Sequence, residues 1–127
     1  MNQVLQTLRQ RRSIRSYQLR QVDQNALDAI LEAGLWAPSG MGMQSPVLVA
    51  VQDPETVTLL SRLNARVLGQ PDADPFYGAP TVVVVLADTG RPTWRQDGSL
   101  VMGNLMNAAA SLGVGSCWIH RAEEVFD

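Results

Sequence analysis

The chain contains no lysine, one cysteine and one histidine. A single cysteine, Cys117, excludes an internal disulfide and is compatible with a reducing, cytoplasmic setting. One cysteine and one histidine cannot build a zinc centre of the usual kind, so no metal is expected. His120 has no serine nucleophile or carboxylate at a recognisable spacing, which argues against a hydrolytic triad. Long apolar runs are missing too: the longest, Val82–Ala87, is far too short to span a bilayer. The first residues are polar where a secretory leader would be apolar. With a net charge of -2, neither a nucleic acid nor a membrane surface is an expected partner.

What the chain does have is arginine, which supplies all ten basic residues. Arg11-Arg12-Ser13-Ile14-Arg15 places three guanidinium groups and a hydroxyl within five positions. Planar, bidentate donors at that density suit a phosphate monoester, and Ser13 adds a neutral donor. The same residues also read as a solvated charged turn at a helix end.

Length and pattern frame the fold. The 127 residues suffice for one domain, 1–127, with a genuine core. Helical periodicity predicts a short helix over Asn2–Gln10 and a second from Asp23 to about Trp36, ended by Pro38. A strand is expected at Val47–Val51. A helix follows, capped by Asp53 with Pro54 at its first position and Leu59, Leu60, Leu63 and Val67 as its apolar face. Gly69–Gly78 reads as a mobile loop, and Thr81–Ala87 as a strand buried on both faces. Asp97–Leu112 is predicted helical with Asp97 as its cap, Ser116–Ile119 as a strand, and Ala122–Asp127 as a helix. Helices alternating with strands indicate an α/β or α+β layer structure.

Other candidate groups are individually ambiguous. Pro38–Gln44 is either an ordinary interhelical loop or, through Ser39, Gly40 and its main-chain N–H groups, a close-approach surface for a flat ligand. Trp36, Trp94 and Trp118 are core residues or walls of a planar-ligand pocket. Cys117 reads as a buried, inert thiol and His120 as a satisfied or exposed histidine.

Taken together, four ordered blocks resemble the FMN-dependent nitroreductase family along the whole chain. They are Arg11–Tyr17, Ala37-Pro38-Ser39-Gly40-Met41 with Gln44, Gly78-Ala79-Pro80, and Asp97-Gly98-Ser99 running through Asn104-Leu105-Met106 to Leu112–Ile119. The chain looks closest to the small nitroreductase-like proteins, with which it shares Arg91-Pro92-Thr93-Trp94 and Cys117–Arg121.

The resemblance implies an α+β fold: a three-layer α/β/α sandwich with a central mixed sheet flanked by helices. It also implies a homodimer with two FMN molecules in the subunit interface. By analogy Arg11, Ser13 and Arg15 hold the FMN phosphate and ribityl chain, and Arg12 contributes mainly its backbone. Pro38, Ser39, Gly40 and Met41 of the second subunit would line the isoalloxazine, with Gln44 close by. Trp118, Ile119 and His120 would lie along the other flavin edge. The implied activity is electron transfer from NAD(P)H to an electron-poor acceptor, a nitroaromatic or quinone, by a ping-pong cycle. No side chain is expected to be catalytic, because the chemistry resides on FMN. The alternatives are a flavin-binding protein without turnover and a sensor of some other phosphate ligand.

Two departures from the family pattern stand out. Gly42 occupies a position where many relatives carry asparagine, removing one amide contact to the flavin. Relatives also continue past the equivalent of Val125-Phe126-Asp127 with a helix, a strand and a basic segment. The domain is therefore expected to be C-terminally short, as a truncated product or a minimal form that relies on Arg11–Arg15.

Overall fold

The computed structural model describes residues 1–126. Helix α1, Gln3–Gln10, is capped by Asn2, whose side chain accepts from Leu5 N at 3.0 Å. It ends where Arg11 turns extended (φ -56°, ψ 136°). Its apolar stripe of Val4, Leu5 and Leu8 is exposed, and the helix buries no residue. Helix α2, Gln24–Leu35, starts at the Asp23 cap and stops before Trp36, because the following Pro38 disfavours further helix. It buries Leu27, Ile30 and Gly34.

Strands β1, Val47–Val51, and β2, Val82–Leu86, pair antiparallel with Val47 opposite Leu86 and Val51 opposite Val82. Between them lies α3, Pro54–Leu68, capped by Asp53 and closed by Gly69 in the left-handed region. Helix α4, Trp94–Ser111, packs along α2, and the short α5 covers Ala122–Phe126 beside α3. Asp127, the end of the expected last helix, lies outside the described residues.

The core forms where α2 and α4 meet the sheet. Ile30, Ala37, Val101, Leu105 and Ala109 are buried together, with Leu48, Val83 and Val85 packed on them. Each buried large aliphatic side chain here contributes about 1.5–3 kcal/mol. The two strands form an antiparallel pair, an isolated parallel bridge joins Ser13 to Ser116, and helices flank them: an α/β sandwich.

Four expectations need correction. Ser116–Ile119 makes that one bridge and no strand, since it finds a single neighbour, the Ser13 segment. Val82–Val85 are only partly buried and Leu86 is exposed, because β2 pairs along one edge. Beside β2 lies an open hollow of about 1270 Å³, bordered also by Tyr17, Asn64, Phe76 and Trp118. In α3 it is Asn64 and Ala65 that are buried, while Leu59 faces outward. The 70–78 segment, in turn, is held at several points. Asp74 fastens it by accepting from Ser61 Oγ (2.7 Å), Phe76 N (3.1 Å) and Gly78 N (2.7 Å), and Phe76 is buried.

Candidate functional site

The arginine segment begins where α1 ends, so its chain is extended and its side chains fan out. Arg12 is spent locally: its Nη1 donates to the carbonyls of Arg9 (2.7 Å) and Arg11 (2.8 Å). Arg11 is different. Its guanidinium is partly buried, and Nη1 is shielded from solvent with no acceptor. A buried donor without a partner costs about 1–3 kcal/mol, more when charged, so this atom is poised for an anion. Ser13 and Arg15 are exposed beside it. Among the described residues no carboxylate lies within 4.0 Å of these arginines.

Ser13 is also the residue that ties this segment to the region after α4. The parallel bridge joins it to Ser116, and Ile14 N donates to Ser116 O at 3.0 Å. Gly115 permits the approach, since a Cβ there would lie 3.0 Å from Ile14 Cγ2. Ile14 and Tyr17 line one hollow with Trp118, Ile119 and His120, while Arg11, Ser13 and Arg15 are not part of its lining. The rings of Trp118 and His120 meet edge-to-face with centroids 5.6 Å apart. His120 Nε2 lies 3.5 Å from Glu123 at the surface, so it is an exposed histidine. Cys117 is half-buried, not sealed in a core, because no strand forms around it. Tyr17 closes this corner by donating its hydroxyl to Ile14 O. Burial first, then the neighbouring Cys117, raises its phenol pKa against an opposing effect of Arg15, which keeps it protonated as a donor.

Pro38–Gln44 stands apart. Within one chain Pro38 and Gln44 border a separate depression of about 540 Å³, whereas Ile14, Tyr17 and Trp118–His120 line the large hollow. The loop makes a 3₁₀ turn at Gly40–Gly42, with Met41 at φ 55° and Gln44 at φ 51°. Gln44 ties its ends together: Nε2 donates to Leu35 O (2.8 Å) and Ala37 O (3.0 Å), and its N–H donates to Ser39 Oγ (2.8 Å). Met41 projects outward at 90% exposure, and Trp36 is 78% exposed. Trp36 is thus surface, not core.

The residue that sequence reasoning undervalued is Asp97. It does not cap α4, which begins one turn earlier at Trp94. Asp97 is 2% exposed, and its carboxylate accepts from Gly40 N (2.9 Å) and from Thr93 Oγ1 (2.9 Å). Only the pairing across 57 positions reveals this, and no local spacing signals it.

The sequence profile of the nitroreductase family matches residues 8–76 and 68–125. The chain belongs to the nitroreductase family. It is similar to a nitroreductase with bound FMN from Bacteroides fragilis, with 33% identity and a TM-score of 0.87 over 95% of this chain and 71% of that one. A nitroreductase with bound FMN from Desulfitobacterium hafniense aligns at 25% identity and TM-score 0.89, covering 99% of this chain and 74% of that one. An FMN reductase [NAD(P)H] of Bacillus subtilis is 32% identical over 91% of this chain and 53% of its own length. A Methanothermobacter thermautotrophicus relative is 30% identical over 91% of this chain and 59% of that one. This nitroreductase-family chain thus spans a little over half the length of these curated relatives. Among its described residues no helix is long and apolar enough to cross a membrane.

Proposed function

We propose that this nitroreductase-family chain binds FMN and serves an oxidoreductase that passes electrons from NAD(P)H to an electron-poor acceptor. The carrying observation is Arg11, whose shielded Nη1 lacks an acceptor beside Ser13 and Arg15, with no carboxylate among the described residues within 4.0 Å of them. That donor set fits a phosphate monoester. Arg11, Ser13 and Arg15 bind the phosphate and ribityl end, while Arg12 holds the backbone in place. Trp118, Ile119 and His120, attached through the Ser13–Ser116 bridge, border the ring.

When bound, FMN supplies the redox chemistry. Trp118, Ile119 and His120 would orient the ring, and main-chain N–H groups beside them would stabilise the charge it gains on reduction. The proposed order is ping-pong, with NAD(P)H as the donor and a nitroaromatic or quinone as the acceptor. No side chain is required as acid or base.

A second copy of the chain completes the site. Pro38, Ser39, Gly40, Met41 and Gln44 are separated from the arginine segment within one chain, and they border the ring of the partner's site. The uncovered apolar groups of α1 (Val4, Leu5, Leu8) and of Leu35, Trp36, Met41 and Met43 support such an interface.

Titration with FMN, followed by flavin fluorescence and by size-exclusion chromatography, tests this reading. A saturable complex that elutes as a dimer supports it. Flavin that binds yet is not reduced by NADH or NADPH leaves a flavin-binding protein without turnover.

A further inference from the structure

We infer that Asp97 is a positioning residue for the 38–44 loop, acting through the main-chain N–H of Gly40. This rests on the reading of that loop as a wall of the FMN site.

The loop is held in a conformation that its residues do not favour by themselves. Met41 and Gln44 both sit in the left-handed region, which is sterically unfavourable for a residue with a Cβ. Something outside the loop must offset that. Gln44 closes the loop on itself and on the end of α2, but those contacts leave the Gly40 turn unattached to the body of the protein. The attachment is Asp97. One carboxylate oxygen takes the Gly40 N–H and the other takes the Thr93 hydroxyl, each at 2.9 Å.

The contact is built closely. A Cβ on Gly40 would lie 2.1 Å from Thr93 Oγ1, so only glycine admits the Thr93 side chain that orients the carboxylate. Asp97 itself is fixed by its place in the first turn of α4, where Asp97 N donates to Thr93 O at 2.8 Å and the helix N-terminus favours a negative charge. Among the described residues no cation pairs with it, so its two hydrogen bonds are its chief compensation for burial. A charge-assisted bond in a shielded site is stronger than a neutral one and leaves Gly40 little freedom. Nearby, Arg91 Nη2 rests 3.9 Å from Met41 Sδ, extending the same support to the tip of the turn.

The consequence is a chain of placement from α4 to the ring. Asp97 sets Gly40, Gly40 sets the turn, and the turn presents Ser39–Met41. Asp97 touches neither flavin nor substrate.

The test compares wild type with Asp97→Ala, Asp97→Asn and Thr93→Val. Three properties are read: amide exchange at Gly40, the FMN dissociation constant, and the flavin midpoint potential. Asp97→Ala should release the Gly40 amide to fast exchange and weaken FMN binding about tenfold, the scale of one lost charge-assisted bond. Asn retains an acceptor for Gly40 and should restore FMN binding to within about threefold of wild type. Thr93→Val keeps the fold's volume if Asp97→Ala does not fold, and it should give an intermediate loss of affinity with a shifted potential. Wild-type FMN affinity and potential in Asp97→Ala or Thr93→Val, with only thermal stability lowered, overturns the proposal. A wild-type protein that protects Gly40 but binds no FMN fails the flavin reading instead, and overturns the ligand half of this one.

Discussion

Ser13 and Ser116 form the parallel bridge that carries the arginine segment to the Trp118–His120 region. The two lie about a hundred positions apart in sequence, and the bridge is made by backbone. Its hydrogen bond runs from Ile14 N to Ser116 O at 3.0 Å, so main-chain atoms hold the two segments together. The neighbouring contact of Gly115 with Ile14 is what lets the two segments close.

Gly115→Val should therefore separate them. A side chain at that position meets Ile14 within 3.0–3.1 Å, and overpacking of this kind costs about 1–3 kcal/mol. Urea denaturation is expected to show that loss, accompanied by weaker FMN binding. Gly113→Ala, with nothing within 4 Å of its Cβ but φ +74°, should lower stability without the same effect on FMN.

The arginines should separate by role. Arg11→Ala removes the shielded, unpartnered donor and is expected to weaken FMN binding by about ten- to a hundredfold, from 1.5–3 kcal/mol of charged hydrogen bonding. Arg15→Ala should also reduce flavin retention. Arg12→Ala loses bonds to two carbonyls and should change FMN binding much less. Fluorescence quenching of FMN in the three variants reads the order directly.

Acid should loosen the 70–78 segment before the core. Burial raises the Asp74 carboxyl pKa, but hydrogen bonds from Ser61, Gly78 and Phe76 outweigh it and the net shift is downward. An acid with a lowered folded pKa contributes stability that is complete above its unfolded value of 3.8 and is lost as pH falls through the folded value. Thermal unfolding followed from above pH 3.8, where the contribution is complete, down through the lowered folded value should show a weaker pH dependence in Asp74→Asn than in wild type.

The core has its own expected cost. Leu105 is 5% exposed at the meeting of α2, α4 and the sheet, and Leu105→Ala should destabilise the fold by about 2–5 kcal/mol in denaturant titration.

Local chemistry made much of this fold legible. Asp23 and Asp53 are caps in the structure as their side chains imply, Pro54 opens α3, and the Pro38 neighbourhood ends α2. In α4 helical spacing puts Leu100, Val101, Leu105, Ala108, Ala109 and Leu112 inward; Val101, Leu105 and Ala109 are buried, whereas Leu100 and Leu112 are exposed. What was not legible depends on distant partners. The apolar Ser116–Ile119 stretch suits a strand, but strand formation needs a neighbour on the right side, and only Ser13 provides one. Leu59 suits a core face, yet α3 buries Asn64 and Ala65 instead, and it is Ser61 that ties α3 to the segment fastened by Asp74. The same reason hid Asp97. A carboxylate in the first helical turn reads as a cap, and its true partner is Gly40 in another loop. The arginine cluster was visible as an anion site, but only the fold distinguishes the shielded Arg11 from the self-satisfied Arg12.

The most direct measurement is the visible absorbance spectrum of the purified protein, reconstituted with FMN, before and after anaerobic addition of NADPH or NADH. The account predicts a flavin spectrum that stays with the protein through gel filtration, is bleached by at least one nucleotide, and returns on addition of a quinone or nitroaromatic. A protein that releases all FMN on gel filtration, or one whose bound flavin stays oxidised with both nucleotides, contradicts it.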